Sequence, residues 1–224
     1  MEPDTVRDVG YAGFRRKLIE EIRRQGVDDL EILQLFDRVP RHEFLPEGVR
    51  PRAYEDAPIP IGFGQTASQP SLQAYYLSIL RPTPDDVVLE IGTGCGFLTA
   101  LLSLVADRVY SVERVRELSQ RSRKALDHLG VKNAALLVGD GAIGWKKYAP
   151  FDVIVVSASS PTVPQPLVDQ LSDGGRMLIP IGTREEQELI LVQKTGFAVT
   201  QEPVGGNVTF VPLLSRFAWT DEHG

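Results

Sequence analysis

The chain has 224 residues, 42% of them apolar and 24% charged, with a formal net charge of −6. This is the composition of a soluble globular protein, and the length suffices to bury a sizeable core. The acidic balance argues against nucleic acid as a partner gripped through many phosphates, and no apolar run approaches the ~20 residues needed to cross a membrane.

From Tyr11 to Phe36 the apolar residues Phe14, Leu18 and Ile22, then Leu30, Ile32, Leu33 and Phe36, fall at helical spacing and predict two helices broken near Gly26. From Val39 to Pro70 the character changes, with prolines at 40, 46, 51, 58, 60 and 70 leaving little room for regular structure. A structureless stretch of about thirty residues is uncommon inside a compact domain and is usually disordered or functional. Phe44, Leu45, Tyr54, Ile59, Ile61 and Phe63 within it predict an ordered loop packed on the core. Ser71–Leu80 then reads as an apolar helix.

Beyond it, strands at Val87–Ile91, Val109–Val112, Ala135–Val138, Val153–Val156 and Met177–Ile181 alternate with helical stretches at Leu98–Val105, Arg116–Leu129 and Pro164–Leu171. Short β-branched runs separated by helices predict an α/β fold: a Rossmann-like, doubly wound, mostly parallel sheet behind a helical N-terminal extension. Leu189–Gln193 and Thr209–Leu213 have no helix between them and predict an antiparallel C-terminal strand or hairpin. Residues 1–224 are expected to form one domain: N-terminal helices and a covering loop over 1–80, a ligand-binding core over 81–185, and C-terminal strands over 186–224.

Val87-Val-Leu-Glu-Ile-Gly-Thr-Gly-Cys-Gly-Phe97 is a buried strand running into a glycine-rich turn and then an apolar helix. Gly92, Gly94 and Gly96 give G-x-G-x-G rather than the G-x-G-x-x-G of dinucleotide sites, which points away from NAD. The next strand ends in Glu113, 21 positions after Gly92, where a carboxylate can accept hydrogen bonds from both hydroxyls of a ribose. The competing reading of Glu113 is a surface glutamate opening the helix that follows. Asp140, in Gly139-Asp-Gly141, closes the third strand at the same end of the sheet and could hold an adenine amine; an ordinary Asp-Gly turn is the alternative.

Glu90-Ile-Gly-Thr-Gly-Cys-Gly with Glu113 and Gly139-Asp-Gly141 resembles the S-adenosylmethionine site of class I methyltransferases. More narrowly, Val39-Pro-Arg-His-Glu-Phe-Leu-Pro46, Tyr54-Glu-Asp56, Pro58-Ile-Pro-Ile-Gly-Phe-Gly-Gln-Thr-Ala-Ser-Gln-Pro70, Phe151-Asp-Val-Ile-Val-Val156 and Val208-Thr-Phe-Val-Pro-Leu213 are similar to the protein-L-isoaspartate (D-aspartate) O-methyltransferase family. The likeness runs from about Leu33 to Leu213.

That resemblance implies methyl transfer from S-adenosylmethionine to the free α-carboxylate of isoaspartyl and D-aspartyl residues in damaged proteins, leaving S-adenosylhomocysteine and starting repair through a succinimide. It implies Ser68 as the active-site serine, orienting the substrate carboxylate. Gln65, Thr66, Ser68 and Gln73 would cover the cofactor, with Gly92, Thr93, Gly94, Gly96, Glu113, Arg114, Asp140 and Gly141 completing its site. Ile61, Gly62, Ser68, Val208, Val211, Pro212 and Leu213 would meet the substrate, the last stretch by offering backbone hydrogen bonds to an extended peptide. A carboxylate nucleophile is already ionised at neutral pH, so the chemistry needs no general base.

Other readings stand beside these. Thr66 and Ser68 could simply cap the helix after Pro70. Tyr54-Glu-Asp56 either fixes the long loop or contacts substrate, the structural role being favoured. The chain departs from the family at Ala67, Ser71, Cys95 and Ser157–Ser160, and Ala67, Ser71 and the serine run are expected where the peptide sits. Cys95 reads as a small filler in the turn; as the lone cysteine it excludes a disulfide framework and suits a reducing compartment. His42, His128 and His223 are scattered, so no metal is expected. The acidic N-terminus, Met1-Glu-Pro-Asp, is unlike a secretory leader, and a cytoplasmic monomer with no nucleic-acid or membrane partner is the expectation. Two alternatives are a paralogue methylating an aspartate of a biosynthetic peptide, disfavoured because the chain ends soon after Leu213, and a silent S-adenosylmethionine-binding module, disfavoured because Gly92, Glu113, Asp140 and Ser68 are all present.

Overall fold

A computed structural model of the chain describes residues 10–220. Two helices open it, α1 over Ala12–Arg24 and α2 over Leu30–Arg38, separated at Gly26 as the spacing predicts. α2 starts where Asp29 can accept hydrogen bonds from the amides of Glu31 and Ile32. Their apolar stripes bury Leu18, Ile22, Ile32, Leu33 and Phe36.

Residues 39–70 hold more regular structure than their prolines suggest. The 3-10 turns Arg41–Phe44 and Glu47–Arg52 are followed by a small hairpin, β1 over Ile59–Gly62 and β2 over Gln65–Ala67. Short turns and a two-stranded ribbon ask for few amide donors, so proline is tolerated there. Phe44, Leu45, Tyr54, Ile59 and Ile61 are buried on the core as expected, whereas Phe63 at the hairpin tip is half exposed with φ of +56°. Helix α3, Pro70–Leu80, follows directly.

The rest winds one sheet. In chain order come β3 (Val87–Ile91), α4 (Phe97–Ser103), β4 (Arg108–Glu113), α5 (Arg116–His128), β5 (Ala134–Val138), β6 (Phe151–Val156), α6 (Gln165–Val168), β7 (Leu171–Gly182), β8 (Gln187–Thr195) and β9 (Ala198–Val208). The strand order is β5-β4-β3-β6-β7-β8-β9, parallel as far as β7 and antiparallel from there. The chain leaves β3 through β4 to β5 and returns with β6 on the other side of β3, so the winding reverses between β3 and β6. Open α/β sheets bind ligands in that crevice.

Val88, Val109, Val153, Val155 and Leu178 pack under α1 to α5, while Leu89, Ile91, Val112, Ile154, Val156 and Met177 face α6, a short turn at Ala142 and Leu213. Strands buried on both faces read as continuous apolar runs, which is why the sequence places β3 to β6 within a residue or two, whereas β7 starts six residues before the predicted Met177. Two predicted elements differ. The helix expected over 164–171 is the single turn of α6, because Leu171 already pairs with Phe151 in β7. No strand covers 209–213; the partner of β8 is β9, whose Gln201, Glu202, Pro203, Gly205 and Gly206 carry no apolar alternation because the edge they form is largely exposed.

Candidate functional site

The glycine turn is set by how β3 ends. Gly92 donates to the Val112 carbonyl at 2.9 Å and Ser157 donates to the Ile91 carbonyl at 2.8 Å, so the departing chain is held between β4 and β6. It then has to climb and turn at once, which puts Gly92 at φ +91° and Gly96 at φ +90°. A Cβ on Gly96 would lie 3.0 Å from the Ser122 Cβ of α5, and the Ser122 hydroxyl is itself donated to the Gly94 carbonyl at 2.7 Å.

Glu113 is buried, not a surface glutamate. One carboxylate oxygen accepts the Gly94 amide at 2.8 Å and the other the Val115 amide at 2.8 Å. Burial raises its pKa, opposed by those amides. The carboxylate lines the cleft and keeps acceptor capacity toward it, where a ribose can present its hydroxyls. Beneath the turn lies a group to which the motif reading gives no separate role: Glu90, fully buried, accepts the hydroxyls of Thr99 at 2.5 Å and Ser111 at 2.6 Å through one oxygen, and Ser111 meets Thr93 at 2.5 Å. Its other oxygen has no partner among the described residues, and burial pushes its pKa up to about 7.

These groups floor a cleft at the carboxyl ends of β3, β4 and β6. Of the predicted cofactor residues, Gln65, Thr66, Ser68, Gln73, Gly92, Thr93, Gly94, Glu113, Arg114 and Gly141 line it. Of the predicted substrate residues, Val211, Pro212 and Leu213 line it too. A second cleft adjoins it, walled by Pro58, Gln69, Leu72, Asn207, Val208, Thr209 and Phe210. Thr66, Ser68, Ser157 and Val211 belong to both.

The cleft suits a nucleoside-bearing cofactor with a cationic or donor-rich tail. The side-chain oxygen of buried Gln73 has no partner among the described residues and is free to accept. A Cβ on Gly141 would sit 2.4 Å from Ile91 Cγ2, so only glycine keeps the wall of the cleft in place there.

Several expectations need correction. Gly96 lies behind the turn against α5, and it serves the turn's shape rather than its ligand face. Asp140 is not on the cleft wall: one oxygen caps Ala142 at 3.0 Å and the other accepts the Ser215 hydroxyl at 2.7 Å, so the Asp-Gly turn reading describes it as it stands. Alternation along β1 sends Ile61 into the core, where it meets the rear of Gly94, and leaves Gly62 exposed beside Arg121; neither reaches the two clefts. Residues 210–213 are not an open edge, because Ser159 donates to the Val211 carbonyl, Leu213 donates to Ser159, and the Phe210 amide is taken by the Gln187 side chain. Within the run 157–160, Ser159 and Ser160 are fully buried and structural, Ser157 lines both clefts and Ala158 lines the first. Ser71 is buried with its amide on Asp56.

Thr66 and Ser68 do not cap α3. The cap comes from Asp56, whose carboxylate accepts the Ser71 amide at 2.8 Å and the Gln69 side chain at 2.9 Å. Tyr54 holds His42 at 2.9 Å, so the Tyr54-Glu-Asp56 motif has the structural role that the sequence favours. Cys95 is buried and its pKa is raised by that burial, the behaviour of a filler rather than a nucleophile. Among the described residues no three potential metal ligands come together, and His223 lies outside those residues. The group that sequence reasoning missed is Arg41: a lone arginine after Val-Pro carries no local signal that it will be 99% buried, with its guanidinium on the carbonyls of Ala53 at 2.8 Å, Glu55 at 3.3 Å and Ser68 at 3.0 Å.

Comparison with known proteins agrees with this architecture. A family model described as Protein-L-isoaspartate(D-aspartate) O-methyltransferase (PCMT) matches residues 14–218. A protein-L-isoaspartate O-methyltransferase of Methanoculleus marisnigri is 45% identical over 209 residues, 93% of this chain and 94% of that protein. Another, from Desulfotalea psychrophila, is 45% identical over 210 residues, 93% of this chain and 98% of that protein. A solved protein-L-isoaspartate O-methyltransferase superposes with a TM-score of 0.81 at 30% identity, covering 91% of this chain and 67% of its own. A putative one from Plasmodium falciparum, solved in complex with S-adenosyl-L-homocysteine, gives 0.79 at 25% identity, covering 89% and 98%.

Proposed function

The chain belongs to the protein-L-isoaspartate(D-aspartate) O-methyltransferase family, and from that premise we propose that the cleft over Gly92, Gly94 and Glu113 holds S-adenosylmethionine while the adjoining cleft presents an isoaspartyl residue at Ser68. The reaction is methylation of the isoaspartyl α-carboxylate, which starts repair of damaged proteins through a succinimide. S-adenosylmethionine supplies an electrophilic methyl on a positively charged sulfur.

The chain's own contribution is placement. A carboxylate is ionised at neutral pH, so no side chain has to remove a proton. Ser68 donates its hydroxyl to one carboxylate oxygen and leaves the other facing the cofactor cleft. Holding two reactants in line in this way can supply several kcal/mol of the barrier. Glu113 takes the ribose hydroxyls with its remaining lone pairs, and the unpaired Gln73 oxygen accepts from the amino-acid end of the cofactor. Thr66 and Val211 stand where the two clefts meet.

One observation carries this reading: Ser68 lies on the wall shared by both clefts. The Ser68→Ala variant is expected to lower kcat on an isoaspartyl peptide by about tenfold or more, the scale of one hydrogen bond to a charged group, while S-adenosylhomocysteine binds within twofold of the parent. Unchanged kcat would remove Ser68 from the reaction. In the same assay, labelled methyl should reach the isoaspartyl peptide and not its aspartyl twin.

That the protein acts as a monomer belongs to the same proposal. The net charge of −6 supports protein rather than nucleic acid as the methyl acceptor. Among the described residues no helix is long and apolar enough to cross a membrane; action in the cytoplasm is part of the same proposal.

A further inference from the structure

Arg41 is an unusual residue to find in this core. Its side chain is 1% exposed, lies with its guanidinium carbon 5.6 Å from the Phe97 ring centre, and has no carboxylate at ion-pair distance among the described residues. Burying an unpaired cation is costly, and a methionine would fill the same space without that cost. Burial accordingly pulls its pKa down to about 10.

What a methionine could not do is reach three carbonyls on two distant segments. One guanidinium nitrogen donates to Ala53 and Glu55, and the other donates to Ser68 across 27 positions of sequence. Asp56 fixes the following residues from the other side, through the Ser71 amide and the Gln69 side chain. Because Ala53, Glu55 and Asp56 are neighbours in one segment, the two sets of contacts tie the chain to that segment from the Ser68 carbonyl through Ser71. Among the described residues the Ser68 hydroxyl makes no hydrogen bond that would hold it otherwise.

We propose that Arg41 is a positioning residue for the methyl transfer: its planar fork fixes the Ser68 carbonyl against the 53–55 segment, and so sets where the Ser68 hydroxyl meets the substrate carboxylate. This rests on the role given to Ser68 above. Arg41 touches neither cofactor nor substrate, and lysine cannot replace it, since a single ammonium does not span both segments in one plane.

The test is a double-mutant cycle with Arg41→Lys, Ser68→Ala and the pair, each measured for kcat and KM on an isoaspartyl peptide, for S-adenosylhomocysteine affinity and for thermal unfolding. R41K is expected to lose at least fivefold in kcat with cofactor affinity within twofold, and to lose less than twofold when introduced into S68A. Were R41K too unstable to assay, Arg41→Gln, which keeps one amide donor, would take its place in the same cycle. Losses that multiply in the pair, or an unchanged kcat in R41K, would overturn the positioning role while leaving Ser68 intact. An unchanged kcat in S68A would instead overturn the role of Ser68 and the inference with it.

Discussion

Around the cofactor cleft the groups that matter stand within a few residues of a strand end, whereas around the second cleft they come from segments far apart in the chain. Gly92 follows β3, Glu113 ends β4, and their positions are dictated by the ladder that pairs β3 with β4 and β6. Ser68 is reached by Arg41 from 27 positions away, α3 is capped by Asp56 from 15 positions before Ser71, and Val211 is paired with Ser159 from 52 positions before it. The first half of the site is made by local backbone geometry at the edge of a rigid sheet. The second is made by side chains that find partners only after the chain has collapsed, and so it can be weakened at residues that touch no ligand.

The sharpest way to break that contrast is Glu113→Ala. It removes two charge-assisted contacts to the turn, each worth roughly 1.5–3 kcal/mol, together with the ribose acceptor. Cofactor affinity should fall by about 100-fold or more in a calorimetric titration with S-adenosylhomocysteine. A loss below tenfold would mean that strand ends do not organise the cofactor half.

Glu90 gives the next largest effect and ties the turn to pH. Its pKa of about 7 in the fold lies above the ordinary 4.5, so the folded protein holds a proton that the unfolded chain has released. Stability from this group is present below about pH 4.5 and is lost as pH rises through 7. Relative to Glu90→Gln, the parent should lose on the order of 3 kcal/mol across that window, read from urea unfolding at a series of pH values. Parallel pH profiles for the two proteins would refute the assignment.

Gly96→Ala tests the turn by geometry alone. With φ at +90° and Ser122 Cβ 3.0 Å from the new methyl, it should cost about 1–3 kcal/mol of stability by denaturant unfolding and weaken cofactor binding in step. Full stability would show that the turn accommodates a side chain by shifting α5.

The smallest effect is expected at Ser215→Ala. Ser215 donates to an Asp140 that stands off the cleft wall, so its loss should leave affinity for S-adenosylhomocysteine within about twofold of the parent. Tighter binding would show instead that Ser215 competes with the cofactor for that carboxylate.

Much of this was legible beforehand. β3 is found at Val87–Ile91 as read, because a strand buried on both faces writes itself as an unbroken apolar run before glycine. Glu113 was legible because strand, turn, helix and strand have nearly fixed lengths. β9 was not, since an exposed edge has no face to bury and so no pattern to betray it. The cap of α3 was not legible either, because Asp56, fifteen positions before Ser71, leaves no local signature.

By itself, then, the sequence determined the parallel sheet, the glycine turn and its acid, and the family to which they belong, since each is encoded in neighbouring residues. Only the tertiary structure decided that Ile61 and Gly62 stay away from the clefts, that residues 210–213 are stitched to Ser159, and that Arg41 lies buried behind Ser68. Those outcomes depend on where distant carbonyls and carboxylates come to rest, and hydrogen bonds across tens of residues follow from the packed core rather than from any spacing along the chain.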